Sequence, residues 1–332
     1  MIQKPRGTHD YLADEFKFRR DIENKFVDFY IERGFQGLET PIFEQKSLYV
    51  RSVGEETDIV SKELFDLEKK SDEIYSLRPE FTAGTIRALI EKGMKSMPKP
   101  INVFSLGPCF RYERPQKGRK RQFNQLNLEV IGKKSPEIDS EFIKNAVSFL
   151  QSIGISDIVI NINSLGSSAT RKAYSQTLNK YLVENAGSLC DLCNIRMTKN
   201  PLRVLDCKNP ECQKVAKSAP TIVSALSEDE SDYYKKIITD LKIAFGKYND
   251  ISVNEDAALV RGLDYYTGVI FEFNIGSDEA RQSSIGGGGR YDDLIKELDG
   301  PDLPAIGMGL GFERIVDYLN ISSQRPIVMD ED

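Results

Sequence analysis

The chain has 332 residues and a net charge of −6, and its 40% hydrophobic and 29% charged residues are typical of an ordinary globular protein. No apolar run approaches the ~18–20 residues that a membrane-spanning helix requires, and residues 1–7 lack the features of a signal peptide. The odd number of cysteines, five, argues against a secreted disulfide framework, so we expect a cytoplasmic protein without a membrane partner.

The histidine content excludes several kinds of catalytic site. His9 is the only histidine, so a Ser–His–Asp or Cys–His catalytic unit would have to use it. It lies in a turn-like stretch before the first predicted helix, where a structural or solvent role is favoured. Zinc sites built from histidines and HExxH metalloproteases are excluded.

The first elements along the chain are two helices separated by a hairpin. Apolar residues at three- and four-residue spacing predict an amphipathic helix over residues 14–33, which Gly34 can close. Residues 63–79 predict a hairpin around a polar turn at 69–72. A second helix is predicted to follow Pro79.

Strands dominate the pattern that comes after these helices. Few long helices separate them, so a parallel sheet with βαβ connections is not indicated. We expect an α+β fold, with an antiparallel sheet flanked by helices. The predicted strands are residues 101–106, 109–114, 122–131, 269–274 and 281–285.

One internal segment differs in character from the rest of the chain. Residues 168–252 hold four of the five cysteines, and their later part reads as a charged helix. We interpret this segment as an inserted, mainly helical domain. Residues 1–167 and 253–325 would then form one discontinuous domain, and residues 326–332 would form a tail without an element of its own.

The segment 109–132 reads as a long hairpin around a basic loop, 117–121. Strand alternation places Leu126, Leu128 and Val130 on one face, which suits a core. The opposite face suits a ligand, because arginine binds phosphate, phenylalanine stacks on bases and glutamate accepts from N–H groups. The alternative is a solvated loop and a solvent-exposed sheet face with surface ion pairs. The polar face carries Phe123, Gln125, Asn127 and Glu129, with Arg111 and Glu113 alternating on the other arm.

Two further segments offer polar groups at turns. Glu80 and Thr82 lie at a predicted strand-to-helix junction, where they could receive an α-ammonium group; helix capping is the alternative. Arg261, Tyr265 and Tyr266 lie in a glycine-flanked turn that leads into a strand. Tyrosine pairs are more often packing than recognition, but packing does not explain the adjacent arginine.

Two glycine-rich segments lie near the end of the chain. The run Gly286–Gly289 matches neither a Rossmann nor a P-loop signature, yet it would let a ligand lie close to backbone between a strand and a helix. Residues 305–314 read as a glycine-spaced strand that enters a helix. Arg314 lies near the start of that helix, a combination that favours polyphosphate.

These segments together resemble the histidyl-tRNA synthetases. FRYERPQKGRKRQFNQLNLEVIG resembles motif 2, LVRGLDYYTGVIFEF the histidine-recognition signature and AIGMGLGFERIV motif 3. Residues 34–44 resemble class II motif 1, and SLRPEFTAGTIRALIEKG resembles the segment that follows it. The likeness covers nearly the whole chain in order, and the loop of the form ERPQxGRxRQF is that of the bacterial-type subgroup.

The resemblance implies a class II antiparallel sheet and a homodimer formed through motif 1. It implies that L-histidine and ATP, with Mg²⁺, give histidyl-adenylate, and that the histidyl group then passes to the acceptor end of tRNA(His). By position it implies catalytic roles for Arg111, Arg261 and Arg314. The ATP-binding residues that it implies are Arg111, Glu113, Arg119, Phe123 and Arg314. The histidine-binding residues that it implies are Glu80, Thr82, Arg111, Gln125, Glu129, Arg261, Tyr265 and Tyr266.

The chain departs from the family's pattern at two places. Members normally carry an anticodon-binding domain after motif 3, whereas this sequence ends at Asp332. It would then be either a truncated synthetase or a short paralog, such as the regulatory subunit of ATP phosphoribosyltransferase, which does not aminoacylate. The presence of all three catalytic arginines and of Glu129 favours the synthetase. Asn124 stands where the family often has histidine.

An RNA-binding module without chemistry is a third alternative, beside the truncated synthetase and the short paralog.

The cysteines of the predicted insertion have a spacing that approximates a four-cysteine zinc site. The first pair is separated by two residues, and the second pair is looser, with four residues between its members. Zinc is not a general feature of the family, and the alternative is reduced cysteines buried in the insertion. The four candidate ligands are Cys190, Cys193, Cys207 and Cys212.

Overall fold

The computed structural model describes residues 2–55, 57–68, 72–115, 118–276 and 284–322. The strands are β1 (Gln36–Gly37), β2 (Phe43–Gln45), β3 (Tyr75–Leu77), β4 (Ile101–Phe110), β5 (Gln122–Ile131), β6 (Ile158–Ser164), β7 (Ile251–Glu255), β8 (Val269–Ile275), β9 (Ser284–Arg290) and β10 (Ala305–Gly311). The helices are α1 (Ala13–Ile31), α2 (Lys46–Val53), α3 (Thr82–Glu91), α4 (Pro136–Ser152), α5 (Ser168–Glu184), α6 (Asp191–Lys199), α7 (Leu202–Leu205), α8 (Pro210–Lys217), α9 (Glu228–Phe245), α10 (Leu294–Glu297) and α11 (Phe312–Ser322).

Eight of these strands form one mainly antiparallel sheet in the order β1-β4-β5-β10-β9-β8-β6-β7. Only the outer pairs, β1 with β4 and β6 with β7, are parallel. The long β4–β5 hairpin pairs from Ile101 opposite Ile131 to Phe110 opposite Gln122. The small strands β2 and β3 form a separate antiparallel pair. The predicted α+β fold with an antiparallel sheet flanked by helices is confirmed.

One face of the large sheet carries the main hydrophobic core. Leu126, Leu128 and Val130 of β5 belong to it, as their alternation predicted. Helices α1, α4, α9 and α11 cover this face, and α1 contributes Ile22 and Phe26 one turn apart. Because side chains alternate along a strand, the other face of β5 is left for polar residues and a second core. That second core contains residues of α3 and of the helices from α5 to α8.

Helix ends follow the sequence closely where capping residues are present. The Ser135 hydroxyl accepts from the Ile138 N–H at the start of α4, with Pro136 as its first residue. Ser227 and Glu230 form a reciprocal capping box at the start of α9. Among the described residues, no helix combines the length and the apolar character that crossing a bilayer requires.

Two predicted features of the first half are wrong in detail. The strands predicted at 101–106 and 109–114 are one strand, β4, and the chain leaves the sheet after Phe110, so Arg111 and Glu113 do not alternate along a strand. The Tyr112 N–H instead donates to the Glu63 carbonyl, outside the sheet. The arms of the predicted hairpin do pair, through the bridge of Asp66 with Ser76 and the backbone bonds from Leu67 to Tyr75 and from Leu77 to Phe65. The first arm forms no strand of its own, and β3 also pairs with β2. Residues 69–71 of its turn lie outside the described residues.

The run Gly286–Gly289 lies inside β9, not between a strand and a helix as predicted. A Cβ on Gly288 would lie 2.0 Å from the Gly307 carbonyl oxygen, and one on Gly287 would lie 2.3 Å from that of Phe271. The strands therefore approach too closely for side chains, which explains the four glycines. Of the strand predicted at 281–285, residues 281–283 lie outside the described residues.

The segment predicted as an insertion contains the five helices from α5 to α9. Its last helix, α9, packs against α4 and contributes Ile237 and Leu241 to the main core. The other four belong to the second core or pack against it. We therefore propose that an insertion proper would comprise the helices before α9. The predicted tail, 326–332, lies outside the described residues.

Candidate active site

The polar face of β5 is open because the neighbouring strand β10 presents glycines to it. Gly307 pairs with Glu129 across the strands, and a Cβ there would lie 1.7 Å from a Glu129 carboxylate oxygen. A Cβ on Gly309 would lie 2.3 Å from the Gln125 amide nitrogen. The alternating glycines of β10 thus make the space in which the side chains of β5 lie across the sheet.

Glu129 is fully buried on this face, with 0% exposure. The Thr82 hydroxyl donates to its Oε1 at 2.7 Å, and the Tyr291 hydroxyl donates to its Oε2. Burial, reinforced by the charge of Glu80, raises the pKa of Glu129 to about 8, although the two hydroxyl donors act in the opposite direction. The carboxyl group is therefore fixed in orientation and titrates near neutral pH.

Glu80 lies at the start of α3, and both of its carboxylate oxygens are occupied. They accept from the backbone N–H groups of Thr82 at 2.6 Å and Ala83 at 2.9 Å. Burial raises the pKa of Glu80. The junction therefore does cap the helix, as the alternative interpretation stated. Because Thr82 also bonds Glu129, capping fixes α3 against β5 at the polar face.

Three tyrosine rings pack beside the Glu129 carboxyl group. The centroids of Tyr265 and Tyr266 lie 4.7 Å apart, and Tyr291 lies 5.5 Å from Tyr265. Burial raises the pKa of Tyr265 and of Tyr291 well above the ordinary value, so both hydroxyls stay protonated donors. Arg171 of α5 donates to the carbonyls of Asp264 and Tyr266 and so holds the backbone of this turn.

Arg261 reaches the polar face from the same turn. It forms an ion pair with Glu272 of β8 at 2.6 Å, with both side chains about one-fifth exposed. A Cβ on Gly287 would lie 3.1 Å from its Nη1, so this glycine leaves the space in which the guanidinium lies. The Nε atom of Arg261 has no hydrogen-bond partner within the described part of the chain. This guanidinium retains capacity to bind an anion.

The other two predicted catalytic arginines lie at the ends of β4 and β10. Arg111 donates from Nε to the Pro79 carbonyl at 3.0 Å, and its guanidinium carbon lies 5.4 Å from the centre of the Phe123 ring. Arg314, on the first turn of α11, donates from Nε to the Gly118 carbonyl at 3.1 Å. Both side chains are half-buried and backbone groups hold them in position.

The arginines share one electrostatic environment. Burial lowers the pKa of Arg314, and the positive charges of Arg119 and Arg111 lower it further, while Glu272 and Glu113 oppose this. Arg119 in turn pairs with Glu113 at 3.1 Å. Arg261 joins the group through Glu272, which pairs with it and also acts on Arg314. Arg261 and Arg314 thus reach the same strand, β9, at Gly287 and Ser284, and the charge of Arg111 acts on Arg314.

Sequence reasoning missed three residues of this site. Tyr291 donates a hydrogen bond to the predicted Glu129, and Glu272 accepts one from the predicted Arg261. Glu313 accepts from Arg19 at 2.8 Å and from the Asn124 N–H at 2.8 Å, and so ties α11 to α1 and β5. A charged residue between two core phenylalanines, Phe271 and Phe273, was a signal for Glu272. Tyr291 had no comparable signal, because tyrosines are common in cores.

The comparisons with known proteins identify the family of this chain. A family model described as histidyl-tRNA synthetase matches residues 7–315. The chain belongs to the histidyl-tRNA synthetase family. Its function is therefore that of an aminoacyl-tRNA synthetase, a ligase that joins histidine to tRNA. The bacterial-type likeness found in the sequence extends to relatives and to solved structures.

Two curated relatives illustrate this likeness. The histidine–tRNA ligase of Clostridioides difficile is 43% identical over 319 residues, which are 95% of this chain and 74% of that protein. The ligase of Thermosipho melanesiensis is 44% identical, with the same two coverages. The chain thus spans about three-quarters of the length of these relatives.

The solved structures give the same result. Apo histidyl-tRNA synthetase of Staphylococcus aureus superposes with a TM-score of 0.76 at 32% identity, covering 100% of this chain and 77% of that one. A protein of Bacillus halodurans described as an ATP phosphoribosyltransferase regulatory subunit/histidyl-tRNA synthetase gives a TM-score of 0.71, covering 96% of this chain and 83% of that one. At 21% identity, that second likeness shows the fold alone.

The predicted metal ligands do not belong to the polar face of the sheet but lie among the helices from α6 to α8. The four sulfur atoms of Cys190, Cys193, Cys207 and Cys212 all lie within 4.8 Å of one another. The fifth cysteine, Cys109, is buried in β4. The sequence spacing therefore identified a real spatial cluster.

Proposed function

We propose that the polar face of the sheet is where L-histidine and ATP react to give histidyl-adenylate and pyrophosphate. One observation carries the proposal: Arg261 and Arg314 reach the same strand, β9, while Arg111 donates to the Pro79 carbonyl next to Glu80. The charge of Glu80 in turn acts on the buried, hydroxyl-bonded Glu129. Cations for phosphates and a polar pocket for a side chain are what such a reaction requires. The proposal concerns which residue performs which part of the ligase reaction.

The arginines and Phe123 would bind ATP. Arg111 would contact the α-phosphate and Arg314 the γ-phosphate, while Phe123 would stack on the adenine. The support is geometric, because the Arg111 guanidinium lies 5.4 Å from the centre of the Phe123 ring. One nucleotide could therefore contact the ring with its base and the guanidinium with a phosphate. Glu113 and Arg119, which pair with each other, would assist the nucleotide.

Mg²⁺ would be the metal cofactor of this step. Glu113 pairs with Arg119 and Glu272 pairs with Arg261, so carboxylate oxygens of the type that Mg²⁺ prefers lie beside two of these arginines. When bound, the ion would supply positive charge to the phosphate oxygens. The residues present therefore fit this metal.

The amino acid would bind beside the nucleotide site. Glu129, Tyr265 and Tyr266 would contact the imidazole ring, and a buried polar pocket of this kind rejects apolar side chains, which would leave its groups unpaired. Glu80, Thr82 and Gln125 would surround the α-amino group. Glu80 would do so by its charge, because its oxygens already accept from backbone N–H groups.

Catalysis in this site would need no general base. The histidine carboxylate is already a nucleophile, so the enzyme has to place it in line with the α-phosphorus and stabilise the charge that develops there. Arg261 would contact both the carboxylate and the phosphate, together with Arg111. The free Nε of Arg261 within the described structure supports this role.

We also propose that the chain works as a homodimer in the cytoplasm, where it would charge the acceptor end of tRNA(His). A group of exposed apolar side chains around the β2–β3 pair supports dimer formation through motif 1. These residues are Ile42, Phe43, Leu67 and Ile74, with exposures of 45%, 51%, 39% and 43%. Light scattering coupled to gel filtration would measure the mass in solution, and a monomer at micromolar concentration would contradict this part of the proposal.

ATP–pyrophosphate exchange dependent on L-histidine tests the proposed activation. We expect exchange with histidine and Mg²⁺, and none when Mg²⁺ or histidine is omitted. A regulatory paralog or an RNA-binding module would give no exchange under any of these conditions. Absence of exchange in folded protein would therefore overturn the proposal, whereas exchange with a different amino acid would overturn only the assignment of the histidine pocket.

A further inference from the structure

The cysteine cluster lies in a part of the molecule that the proposed reaction does not use. Cys190 precedes α6 and Cys193 lies in its first turn, while Cys207 follows α7 and Cys212 lies in the first turn of α8. Three of the four side chains are buried. Three short helical segments thus bring four thiols to one point.

We propose that Cys190, Cys193, Cys207 and Cys212 bind one structural Zn²⁺ ion as a four-thiolate site. Zinc bound tetrahedrally by cysteines has metal–sulfur distances of about 2.3 Å, which places neighbouring sulfurs roughly 3.8 Å apart. The sulfurs of Cys190 and Cys207 lie 3.9 Å apart, and all four lie within 4.8 Å of one another. The four sulfurs therefore enclose a point at which the ion fits.

The surrounding backbone is suited to thiolate charge. The Cys190 N–H donates to the sulfur of Cys212 at 3.2 Å, and the Asn209 N–H donates to that of Cys207 at 3.4 Å. Cys193 and Cys212 also lie at the positive ends of α6 and α8. N–H groups that point at ligand sulfurs are the usual outer-shell support of a metal site.

Disulfides would need a different arrangement. A disulfide joins two sulfurs at about 2.05 Å, whereas all five cysteines of the chain are free thiols. The four sulfurs do not separate into two bonded pairs, since Cys207 lies close to Cys190 and the backbone beside Cys190 contacts Cys212. A shared central ion accounts for this arrangement of four sulfurs.

The helices that carry the ligands need such support. Helices α6, α7 and α8 have nine, four and eight residues, and helices this short are marginal on their own. They also hold the turn that carries Arg261, because Arg203 donates to the Gly262 carbonyl at 2.7 Å and Asn200 to Asp264 at 3.2 Å. The ion would fix these helices and, through them, the turn.

Metal analysis of the purified full chain tests the site. The protein would be expressed with zinc in the medium and purified with a reducing agent and without a chelator. We expect one zinc ion per chain in the unaltered protein and loss of that zinc in Cys193→Ser and Cys212→Ser. Cys109→Ser, the same change at a buried cysteine outside the cluster, should retain the zinc.

A spectroscopic measurement keeps the test decisive if the cluster variants fail to fold. The unaltered protein, stripped of metal and loaded with Co²⁺, should show the visible bands of tetrahedral cobalt and the thiolate charge-transfer bands in the near ultraviolet, as should Cys109→Ser. Zinc-free protein without these cobalt bands would overturn the proposal. Disulfides among these cysteines in non-reducing mass spectrometry, or bound iron and sulfide instead of zinc, would overturn it equally.

Discussion

The two faces of the large sheet each bury a carboxylate completely, and they treat it differently. Glu129 on the polar face and Asp139 on the core face both have 0% exposure. Asp139 receives two bonds from Arg290, at 2.7 and 2.6 Å, and a third from Tyr233 at 2.9 Å. Glu129 receives hydroxyl groups from Thr82 and Tyr291 and, among the described residues, no cation.

This difference distinguishes a structural ion pair from the site that we propose binds histidine. Arg290 neutralises Asp139, joins β9 to α4 and also pairs with the partly exposed Asp292 at 3.0 Å, so Asp139 has its cation within the chain. Hydroxyl groups hold the Glu129 carboxyl group in one orientation, but it has no cationic partner among the described residues. Burial raises its pKa to about 8. A carboxyl group in that condition is suited to receive a ligand that brings its own N–H groups.

The largest effect is expected from breaking the complete pair. Replacing Arg290 with methionine leaves Asp139 buried and unpaired, which should cost about 3–5 kcal/mol of unfolding free energy. Urea denaturation of the variant beside the unaltered protein measures this loss.

The double variant Arg290→Met/Asp139→Leu provides the control. Removing both charges should recover most of the lost stability, because no unpaired charge then remains in the core and Asp292, the other partner of Arg290, keeps its ion pair with Lys134. If the single variant loses less than about 1 kcal/mol, a value usual for exposed pairs, the contrast between the two faces is not supported.

Arg261 on the polar face should respond in the opposite way, through activity and not through stability. Replacing Arg261 with alanine should lower histidine-dependent pyrophosphate exchange about 10²–10³-fold, the usual effect of removing one charge-stabilising donor from an active site. The unfolding free energy should change little, because the Arg261–Glu272 pair is partly exposed.

Arg51→Ala is the matched control for this prediction. Arg51 also pairs with a carboxylate, that of Asp299 at 3.0 Å, but its side chain is half exposed. Its replacement should leave exchange unchanged. An unchanged rate in Arg261→Ala would remove Arg261 from the reaction.

The fold was predictable from the sequence where the chain repeats a simple pattern. Alternation along β5 assigned Leu126 and Leu128 to the core correctly, and the polar residues between them to the other face. The pattern could not show that Gly286–Gly289 form a strand, because glycines are placed there by the close approach of neighbouring strands. Nor could it show that the chain leaves the sheet after Phe110, since residues 110–114 alternate as well as any strand.

The candidate site was predictable where the family's motifs are specific, and less so where partners come from elsewhere in the chain. The three arginines and Glu129 all come from local motifs, and their roles in the reaction stay predictions. Glu272 lies 11 residues from its partner Arg261, and Tyr291 lies 162 residues from its partner Glu129. A local sequence pattern cannot predict such a pairing. The spacing of the cysteines in the sequence predicted their spatial cluster, because cysteines seldom recur at such intervals without a shared structural role.

Glu129 should also make the stability of the protein depend on pH. An ordinary glutamate has a pKa near 4.5, while burial raises that of Glu129 to about 8 in the folded chain. Between these values the folded state holds a proton that the unfolded state has released, so this residue makes the unfolding free energy fall as the pH rises from about 5 to 8. Glu129→Gln removes the titrating group while keeping a similar shape. The unfolding free energy of the unaltered protein minus that of Glu129→Gln should therefore decrease over this range and become level above it, in urea titrations at successive pH values. Glu211→Gln, at an exposed carboxylate that pairs with Lys214, should give a flat difference. A flat difference for Glu129→Gln as well would mean that Glu129 is ionised at neutral pH, and then the hydroxyl donors, not burial, would decide its state.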